Sequence, residues 1–330
     1  MELNGLHHVT AVTGNAQANV DFYTQVLGMR LVKKTVNQDD VSAYHLFYGD
    51  ELGNPGTELT FFEWPHMGPN RNGPGSIAHT ALRVPSRAAL DWWAKRLAQY
   101  GVEHQGLTEF HGHARINFTD PEGQQLSLVD DGGVPGGTAW PKSRVPAEYA
   151  VRGVFAATLM VQQLEPTAFV LTEIMGYRSV DEYSSADDPS ERTAVFALDQ
   201  GGAGKELYVI EQPHQPSGQL GLGGVHHIAF RTPNVAEQTQ WLDRLHDFGL
   251  PTSGLVDRYY FQSLYFRIPG GILFEIATDG PGFATDEAAE HLGERLALPP
   301  FLEPRRAQIE AGLKPIKPHQ IVPIAPQSSG

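Results

Sequence analysis

The chain has 330 residues, 41% hydrophobic and 19% charged, which is ordinary for a soluble globular protein of two domains or several repeated modules. Its 38 acidic and 24 basic residues give a net charge of −14, which argues against nucleic acid or an anionic membrane as a partner. Cysteine is absent, which excludes disulfides and thiolate sites, and no transmembrane run or secretory signal is visible, so we expect a cytoplasmic protein.

Four copies of one β-α-β-β-β pattern follow one another along the chain, over residues 1–70, 71–135, 148–215 and 221–280. Gly- and Pro-rich stretches separate them, as expected of linkers. Residues 281–330 depart from the pattern. They contain one predicted helix, "TDEAAEHLGERLA", and a Pro-rich tail that we expect to lie on the surface or to be disordered at its end.

The first copy opens with "HHVTAVT", continues through the helix "NAQANVDFYTQVLG", which Gly28 ends, and closes on "GTELTFFEW". The second opens with "IAHTALRVP", and Ser86 is the predicted N-cap of its helix. The third opens with "GVFAATLMV" and closes on "GKELYVIEQ". The fourth runs from "VHHIAFRTP" through "NVAEQTQWLDRLHDFG" to "YFRIPGGILFEIATD".

Such a unit leaves one face of its sheet uncovered, so two units pair with their inner faces turned towards each other. Four units therefore predict an α+β protein with two curved half-barrels.

Paired histidines open the first and fourth copies, in "GLHHVT" and "GGVHHIAF". Strand alternation sends adjacent side chains to opposite faces, so each pair is expected to offer one imidazole to the half-barrel interior. The second copy has a single histidine, His79, which aligns with His8 and His227. The second member of each pair is therefore the equivalent position, and His7 and His226 are expected to lie behind or beside the site.

Glu275 lies in the apolar strand "GGILFEIATD", where a buried carboxylate needs a cation or a hydrogen-bonding partner. Together with His8 and His227 it makes a set of two imidazoles and one carboxylate, which suits Fe(II) with open positions and also serves zinc. Two alternatives stay open: strand histidines are often structural, and Glu275 could pair with Arg258 or Arg267. The remaining histidines, His45 among them, lie without comparable context.

At these residues the sequence resembles the vicinal oxygen chelate superfamily, whose members pair β-α-β-β-β modules around a metal. More narrowly it is similar to four-module dioxygenases that cleave para-hydroquinones. The segments that carry the resemblance are "GLHHVT", "YHLFYGDELGNPGTELTFF", "GGVHHIAF" and "DRYYFQSLYFRIPGGILFE". The resemblance implies Fe(II), or less often Mn(II), held by His8, His227 and Glu275. It also implies extradiol-type insertion of dioxygen into a small aromatic diol, and it is compatible with a homo-oligomer.

If His8 and His227 share one metal, copies one and four must form the metal-bearing half-barrel, and copies two and three the metal-free one. A three-residue loop, Pro269–Gly271, places Tyr265 on the same face as Glu275. Tyr265 could then bond a phenolate or act as an acid or base, and Arg258 could fix a substrate oxygen. By resemblance, His226, Thr10 and His7 are groups that orient the ligands.

Two other functions compete with this one. A glyoxalase-type isomerase or lyase would take a fourth ligand from the first copy, where our alignment puts Phe61 opposite Glu275 and leaves Glu63 nearby. A protein that binds an aromatic drug or quinone without turnover would need no metal with free positions.

Overall fold

A computed structural model describes residues 1–185, 188 and 190–317 of the chain; most of the predicted Pro-rich tail lies outside these residues. Four units of four strands each confirm the predicted α+β class. The first unit comprises β1 (Leu6–Thr13), α1 (Ala16–Asp21), β2 (Arg30–Val36), β3 (Tyr44–Gly49) and β4 (Glu58–Glu63). The second comprises β5 (Ser76–Val84), α2 (Arg87–Gln99), β6 (His104–Phe110), β7 (His113–Thr119) and β8 (Gln125–Asp130).

The third unit comprises β9 (Gly153–Val161), α3 (Leu164–Phe169), β10 (Arg178–Ser184), β11 (Arg192–Ala197) and β12 (Glu206–Glu211). The fourth comprises β13 (Val225–Thr232), α4 (Val235–Asp247), β14 (Thr252–Asp257), β15 (Phe261–Arg267) and β16 (Leu273–Pro281). The predicted boundaries of the four units stay a proposal, and β16 extends one residue beyond the last of them.

Local sequence explains where the helices begin and end. The Ser86 hydroxyl accepts a hydrogen bond from the Ala89 N–H, so this residue is the N-cap of α2, as predicted. The inner face of α2 is fully buried and consists of Ala89, Leu90, Trp93 and Leu97. The helix of the first unit continues after α1 as a wide π-helical turn over Phe22–Val26, and Gly28 follows in the left-handed region that favours glycine.

Strand pairing joins the first unit to the fourth and the second to the third. β1 runs antiparallel to β13, and β5 runs antiparallel to β9, while one bridge between Val225 and Ile77 connects the two pairs. Inside every unit the opening strand lies parallel to the closing one. We call the pair formed by units one and four the first half-barrel, and the pair formed by units two and three the second half-barrel.

Each of the four opening strands has a β-bulge at the same place. The register skips His7 in β1 and His226 in β13, and it skips Ala78 in β5 and Phe155 in β9. Bulges of this kind re-aim a side chain beside functional sites. The residues that follow these bulges are structural counterparts of one another, and they are His8, His227, His79 and Ala156.

The helix predicted at "TDEAAEHLGERLA" is wrong. The segment contains one short 3₁₀ turn, Ala289–His291, and follows another, Phe283–Thr285. The α-helix of this region is α5, Arg306–Gly312. Tertiary contacts with β2 outweigh local helix propensity here. The carboxylates of Asp286 and Glu287 bind the buried Lys33 ammonium, and the Ala297 N–H bonds the Lys34 carbonyl. None of the described helices has the length and apolar character needed to cross a membrane.

Candidate metal centre

His8, His227 and Glu275 meet inside the first half-barrel. Glu275 Oε2 lies 3.0 Å from His227 Nε2 and 3.3 Å from His8 Nε2, and the two imidazole nitrogens are 3.3 Å apart. Atoms held about 2.1 Å from one metal ion lie about 3.0 Å apart at right angles and about 3.4 Å apart at tetrahedral angles. The three atoms therefore have the spacing of ligands to a single ion.

Charge and burial keep Glu275 and His227 in the forms that bind a metal. Burial raises the pKa of Glu275, but the neighbouring His8 and His227 outweigh it and hold that pKa well below its ordinary value. Burial lowers the pKa of His227, which favours the neutral imidazole. The Ser263 hydroxyl donates a 2.5 Å hydrogen bond to Glu275 Oε1, which leaves Oε2 for the metal. Neither Arg258 nor Arg267 pairs with Glu275.

The bulge changes the expected position of His7. Its ring lies beside that of His8, with the two Nδ1 atoms 3.0 Å apart, and both rings contact Phe261. The prediction that His7 and His8 point to opposite faces of the strand is therefore wrong. His7 also lies 3.6 Å from the buried Glu58 carboxylate and bonds the Thr278 carbonyl. Burial lowers the pKa of His7, but Glu58 raises it above its ordinary value in the balance. His8 is thus backed by an imidazole and a carboxylate.

His226 takes the corresponding place behind His227, with the two Nδ1 atoms 2.7 Å apart. Its ring packs edge-on against Phe62 and Trp64, and no carboxylate among the described residues bonds to it. Burial, followed by the charge of His227, lowers the pKa of His226 to about 3. The two ligand histidines therefore have different support.

A cavity opens beside His8 and His227. Aromatic side chains form much of its wall, and polar residues of the segment after β2 complete it. The lining includes Phe47, Phe62, Tyr260, Phe261, Tyr265, Asn37, Gln38 and Asp39. His45 also lines it, with its ring against Phe47 and Phe62 and its Nε2 3.1 Å from Thr60 Oγ1. His45 thus lies at the cavity, although its sequence context gave no sign of this.

Tyr265 and Arg258 lie together at this cavity. Tyr265 is directly opposite Glu275 in the pairing of β15 with β16, and its ring is 5.8 Å from that of His227. The Arg258 guanidinium lies 5.5 Å from the centre of the Tyr265 ring and forms two hydrogen bonds with Asp39, of 2.8 and 3.1 Å. Because Asp39 belongs to the first unit, this ion pair links both units across the cavity.

Thr10 does not line the cavity. It is fully buried, and its hydroxyl lies 2.7 Å from that of Thr60, which in turn bonds His45. The register also corrects the alignment of the closing strands. Thr60 pairs with Thr10, and Glu275 pairs with Ala229. Thr10 and Ala229 are equivalent positions, because each lies two residues after its ligand histidine. Thr60, and not Phe61, is therefore the counterpart of Glu275. The Thr60 hydroxyl thus stands at the position where a glyoxalase-type site would need a fourth ligand.

Glu63, the other residue considered as a fourth ligand, accepts a hydrogen bond from the Ala16 N–H at the start of α1. That bond places it at the end of β4, away from the triad.

Three further residues at this centre escaped prediction from the sequence. Ser263 could have been found, because it lies two residues before Tyr265 and so shares its strand face. Glu58 and Asp39 carried no comparable signal. Each acts through a partner from the other end of the sequence or from a neighbouring strand, and only the folded chain brings these partners together.

Comparisons with known proteins agree on one group. The family model of the Glyoxalase/Bleomycin resistance protein/Dioxygenase superfamily matches residues 5–128 and 153–276. MhqA of Bacillus subtilis (strain 168), named provisionally as a ring-cleaving dioxygenase, is 47% identical over 96% of this chain and 100% of its own length.

Two other matches extend nearly as far. The chlorohydroquinone/hydroquinone 1,2-dioxygenase of Sphingobium indicum is 32% identical over 91% of this chain and 93% of its own. A Bacillus subtilis crystal structure, provisionally described as a dioxygenase, superposes with a TM-score of 0.88 at 39% identity, over 97% of this chain and 99% of that one.

Proposed function

Because the chain belongs to the glyoxalase/bleomycin resistance protein/dioxygenase superfamily, as its sequence predicted, we propose that it is an Fe(II)-dependent, extradiol-type dioxygenase that cleaves hydroquinones. That it is a dioxygenase is supported directly by its relatives, which confirms the prediction of an enzyme. The metal, the type of cleavage and the substrate are the proposal. One observation carries it above the others: two imidazoles and one carboxylate with ligand spacing, at the edge of an aromatic cavity.

The donor set fits the metal. His8, His227 and Glu275 would hold it on one side, in the two-histidine, one-carboxylate arrangement used by non-heme Fe(II) oxygenases. Mn(II) takes similar ligands and stays an alternative. A bound Fe(II) would supply open positions where a dihydroxy ring and dioxygen meet, and would exchange electrons between them. The side chains of the cavity would bind and orient the substrate and exclude water.

Phe62 and Phe261 provide apolar surface for an aromatic ring and keep water from the reacting carbons. Tyr265 and Arg258 are placed to bond an oxygen of the substrate, and the Arg258 charge favours a phenolate over a phenol. Burial, helped by the charges of His8 and His227, lowers the pKa of His45, so its ring is neutral and can accept a hydrogen bond from a hydroxyl.

A para-diol presents only one hydroxyl to the metal side, so its far hydroxyl must be bonded elsewhere. We assign this bond to Gln38 and Asp39, which line the cavity and are fixed by bonds to Arg258. His7, His226 and Thr10 do not form this wall. We assign them to orienting the ligands, His7 and His226 through the rings they contact and Thr10 through Thr60 and His45.

The glyoxalase-type alternative is weakened by Thr60. This hydroxyl is engaged by Thr10 and His45 at the position where a fourth carboxylate would be needed. A protein that only binds an aromatic compound would have no need of a buried triad whose assembly costs the desolvation of a carboxylate.

The test loads the protein with Fe(II) without oxygen, adds 2-methylhydroquinone or catechol, admits oxygen and follows its uptake. We expect one dioxygen consumed per hydroquinone, and loss of both metal and uptake in His8→Ala and Glu275→Gln. His246→Ala, on the surface of α4, is the matched control and should retain both. Absence of uptake with every diol, alongside isomerisation of a glutathione hemithioacetal, would show that the proposal is wrong.

A further inference from the structure

Asp39 is the acidic group of the cavity beside the metal centre. Among the described residues that line this cavity, Asp39 is the only aspartate or glutamate, and Arg258 is the only arginine or lysine. Each oxygen of the Asp39 carboxylate accepts one hydrogen bond from Arg258, of 3.1 Å at Oδ1 and 2.8 Å at Oδ2. The two charges therefore offset each other, and the planar guanidinium of Arg258 is already occupied by a carboxylate.

Asp39 and the triad lie at different depths of the same cavity. The three side chains of the triad are at most 3% exposed, whereas the Asp39 side chain is 73% exposed. A series of contacts connects the two depths. The Tyr265 ring lies 5.8 Å from that of His227, and the Arg258 guanidinium lies 5.5 Å from the centre of the Tyr265 ring. The cavity therefore runs from the buried triad to a mouth at Asp39, and the far end of a ring bound at the triad points towards that mouth.

The segment that carries Asp39 is held in place by two further hydrogen bonds. The Gln38 side-chain amide donates a 2.8 Å bond to the Arg258 carbonyl, and the Asp39 N–H donates a 2.9 Å bond to Asn37 Oδ1. A carboxylate has about four acceptor sites, and Arg258 uses two of those of Asp39. The remaining acceptor sites of Asp39 are therefore available, in a fixed position, to a group at the far end of the ring.

A fixed carboxylate distinguishes such groups by their charge and by their ability to donate a hydrogen bond. A hydroxyl donates a charge-assisted bond to it, which is stronger than a bond between neutral groups. A methoxy group has no proton to donate, and an anionic group is repelled. Arg258 does not offset this repulsion, because its guanidinium is already bound by Asp39.

We propose that Asp39 determines the substrate specificity of the cavity. It accepts a hydrogen bond from the far hydroxyl of a para-diol, and it excludes rings that have an anionic group at that position. This role depends on the proposed function, because it takes a dihydroxy ring as the substrate. The substrate class becomes narrower: para-diols without a negative charge at the end that faces the mouth.

Anaerobic binding of four phenols to the Fe(II)-loaded, full-length protein tests this role. The four are hydroquinone, 4-methoxyphenol, 4-hydroxybenzamide and 4-hydroxybenzoate. In the wild type we expect 4-methoxyphenol to bind at least about tenfold more weakly than hydroquinone, because it has no proton to donate to the carboxylate. We expect 4-hydroxybenzoate to bind at least about tenfold more weakly than 4-hydroxybenzamide, which has a similar shape but no charge.

Two variants separate the charge of Asp39 from its hydrogen bond. Asp39→Asn removes the charge and keeps an oxygen acceptor, so it should abolish the discrimination against 4-hydroxybenzoate and retain the preference for hydroquinone over 4-methoxyphenol. Asp39→Ala should lose both preferences. Asp40→Asn is the matched control, because it removes a charge from the next residue, which is exposed and bonds Ser42 outside the cavity lining. Since Asp39 is exposed as well, none of these substitutions removes buried packing.

Two results would overturn the proposal. Equal discrimination in the wild type and in Asp39→Asn would show that the carboxylate does not select the ligand, as would happen if 4-hydroxybenzoate bound with its carboxylate at the metal. A loss of discrimination that Asp40→Asn reproduces would reflect the charge of the surface and not a contact in the cavity.

A failure of the proposed function gives a different result. If the four phenols bind with the expected preferences but hydroquinone consumes no oxygen when oxygen is admitted, the proposed reaction is wrong and the role of Asp39 in binding stands. If oxygen is consumed but the preferences are absent or do not depend on Asp39, the reaction stands and the role of Asp39 is wrong.

Discussion

The sharpest quantitative prediction concerns Asp120, a buried carboxylate where the first and second units meet. Its Oδ2 accepts a 3.1 Å hydrogen bond from the hydroxyl of Tyr23, and its Oδ1 accepts the N–H groups of Glu122 and Gln124. Burial dominates over these bonds and raises the pKa of Asp120 from 3.8 to about 6. The native state therefore binds a proton at this group more tightly than the unfolded chain does.

The sign and size of the effect follow directly. Between pH 4 and pH 6 the native state holds the proton and the unfolded state has lost it, so the free energy of unfolding falls as the pH rises. A difference of about 2 in pKa corresponds to a contribution of about 3 kcal/mol to the free energy of unfolding. This contribution is lost as the pH rises through that window, and above it the free energy no longer changes with the pH on account of Asp120. Asp120→Asn removes this contribution. Tyr23→Phe removes a bond that lowers the pKa of Asp120, so it should extend the window upwards.

Denaturant unfolding at half-unit steps from pH 4 to pH 8 measures this contribution. Other titrating groups contribute equally to the wild type and to Asp120→Asn, so the difference between the two curves isolates the carboxylate. We expect the variant to gain about 3 kcal/mol relative to the wild type between the two ends of the window. Parallel curves would refute the assignment of a raised pKa, and a difference of opposite sign would mean that hydrogen bonding dominates over burial.

Two further predictions concern groups around the metal centre. Ser263→Ala should weaken Fe(II) or Mn(II) binding about 10- to 100-fold in a chelator competition, because Glu275 loses the bond that orients it. Ser253→Ala, at an exposed edge, should leave the metal affinity unchanged. Equal affinities in the two variants would show that Ser263 has no positioning role. Lys33→Met should lower the free energy of unfolding by about 3–5 kcal/mol, because it leaves buried Glu287 without its main cation. Lys34→Met, which loses only an exposed bond to the Glu294 carbonyl, should cost about 1 kcal/mol or less, and similar losses in both variants would contradict this account.

The repeated pattern made the fold predictable, because hydrophobic alternation and helix-ending glycines are local signals that recur in all four units, and side-chain N-caps recur in three of them. His8, His227 and Glu275 were predictable for a related reason. A repeat that places histidines at equivalent positions, and an isolated carboxylate in an apolar strand, are visible without any long-range contact.

What the sequence did not reveal depends on contacts between distant residues or on irregular backbone. Alternation predicts opposite faces for His7 and His8, but a single skipped residue in the register turns both rings towards Phe261. The register of the parallel strand pairs shifts the alignment of the closing strands by one residue, so Thr60 and not Phe61 is the counterpart of Glu275. His45 looked isolated because its partner Thr60 lies on the neighbouring strand.

The C-terminal segment helps to form the wall of the cavity in the first half-barrel. Phe283 packs against Phe47 and Tyr260, and Leu292 joins the same apolar cluster, so this segment covers the first half-barrel. Because the C-terminal segment covers the first half-barrel, the interior of that half-barrel can keep small side chains such as Ala229 and Ala277. The second half-barrel is filled from within, by Tyr208 at the counterpart of Thr60 and Val129 at that of Ala277. Lys33, which anchors the cover through Asp286 and Glu287, thus helps to keep space for a substrate beside the triad without contacting it.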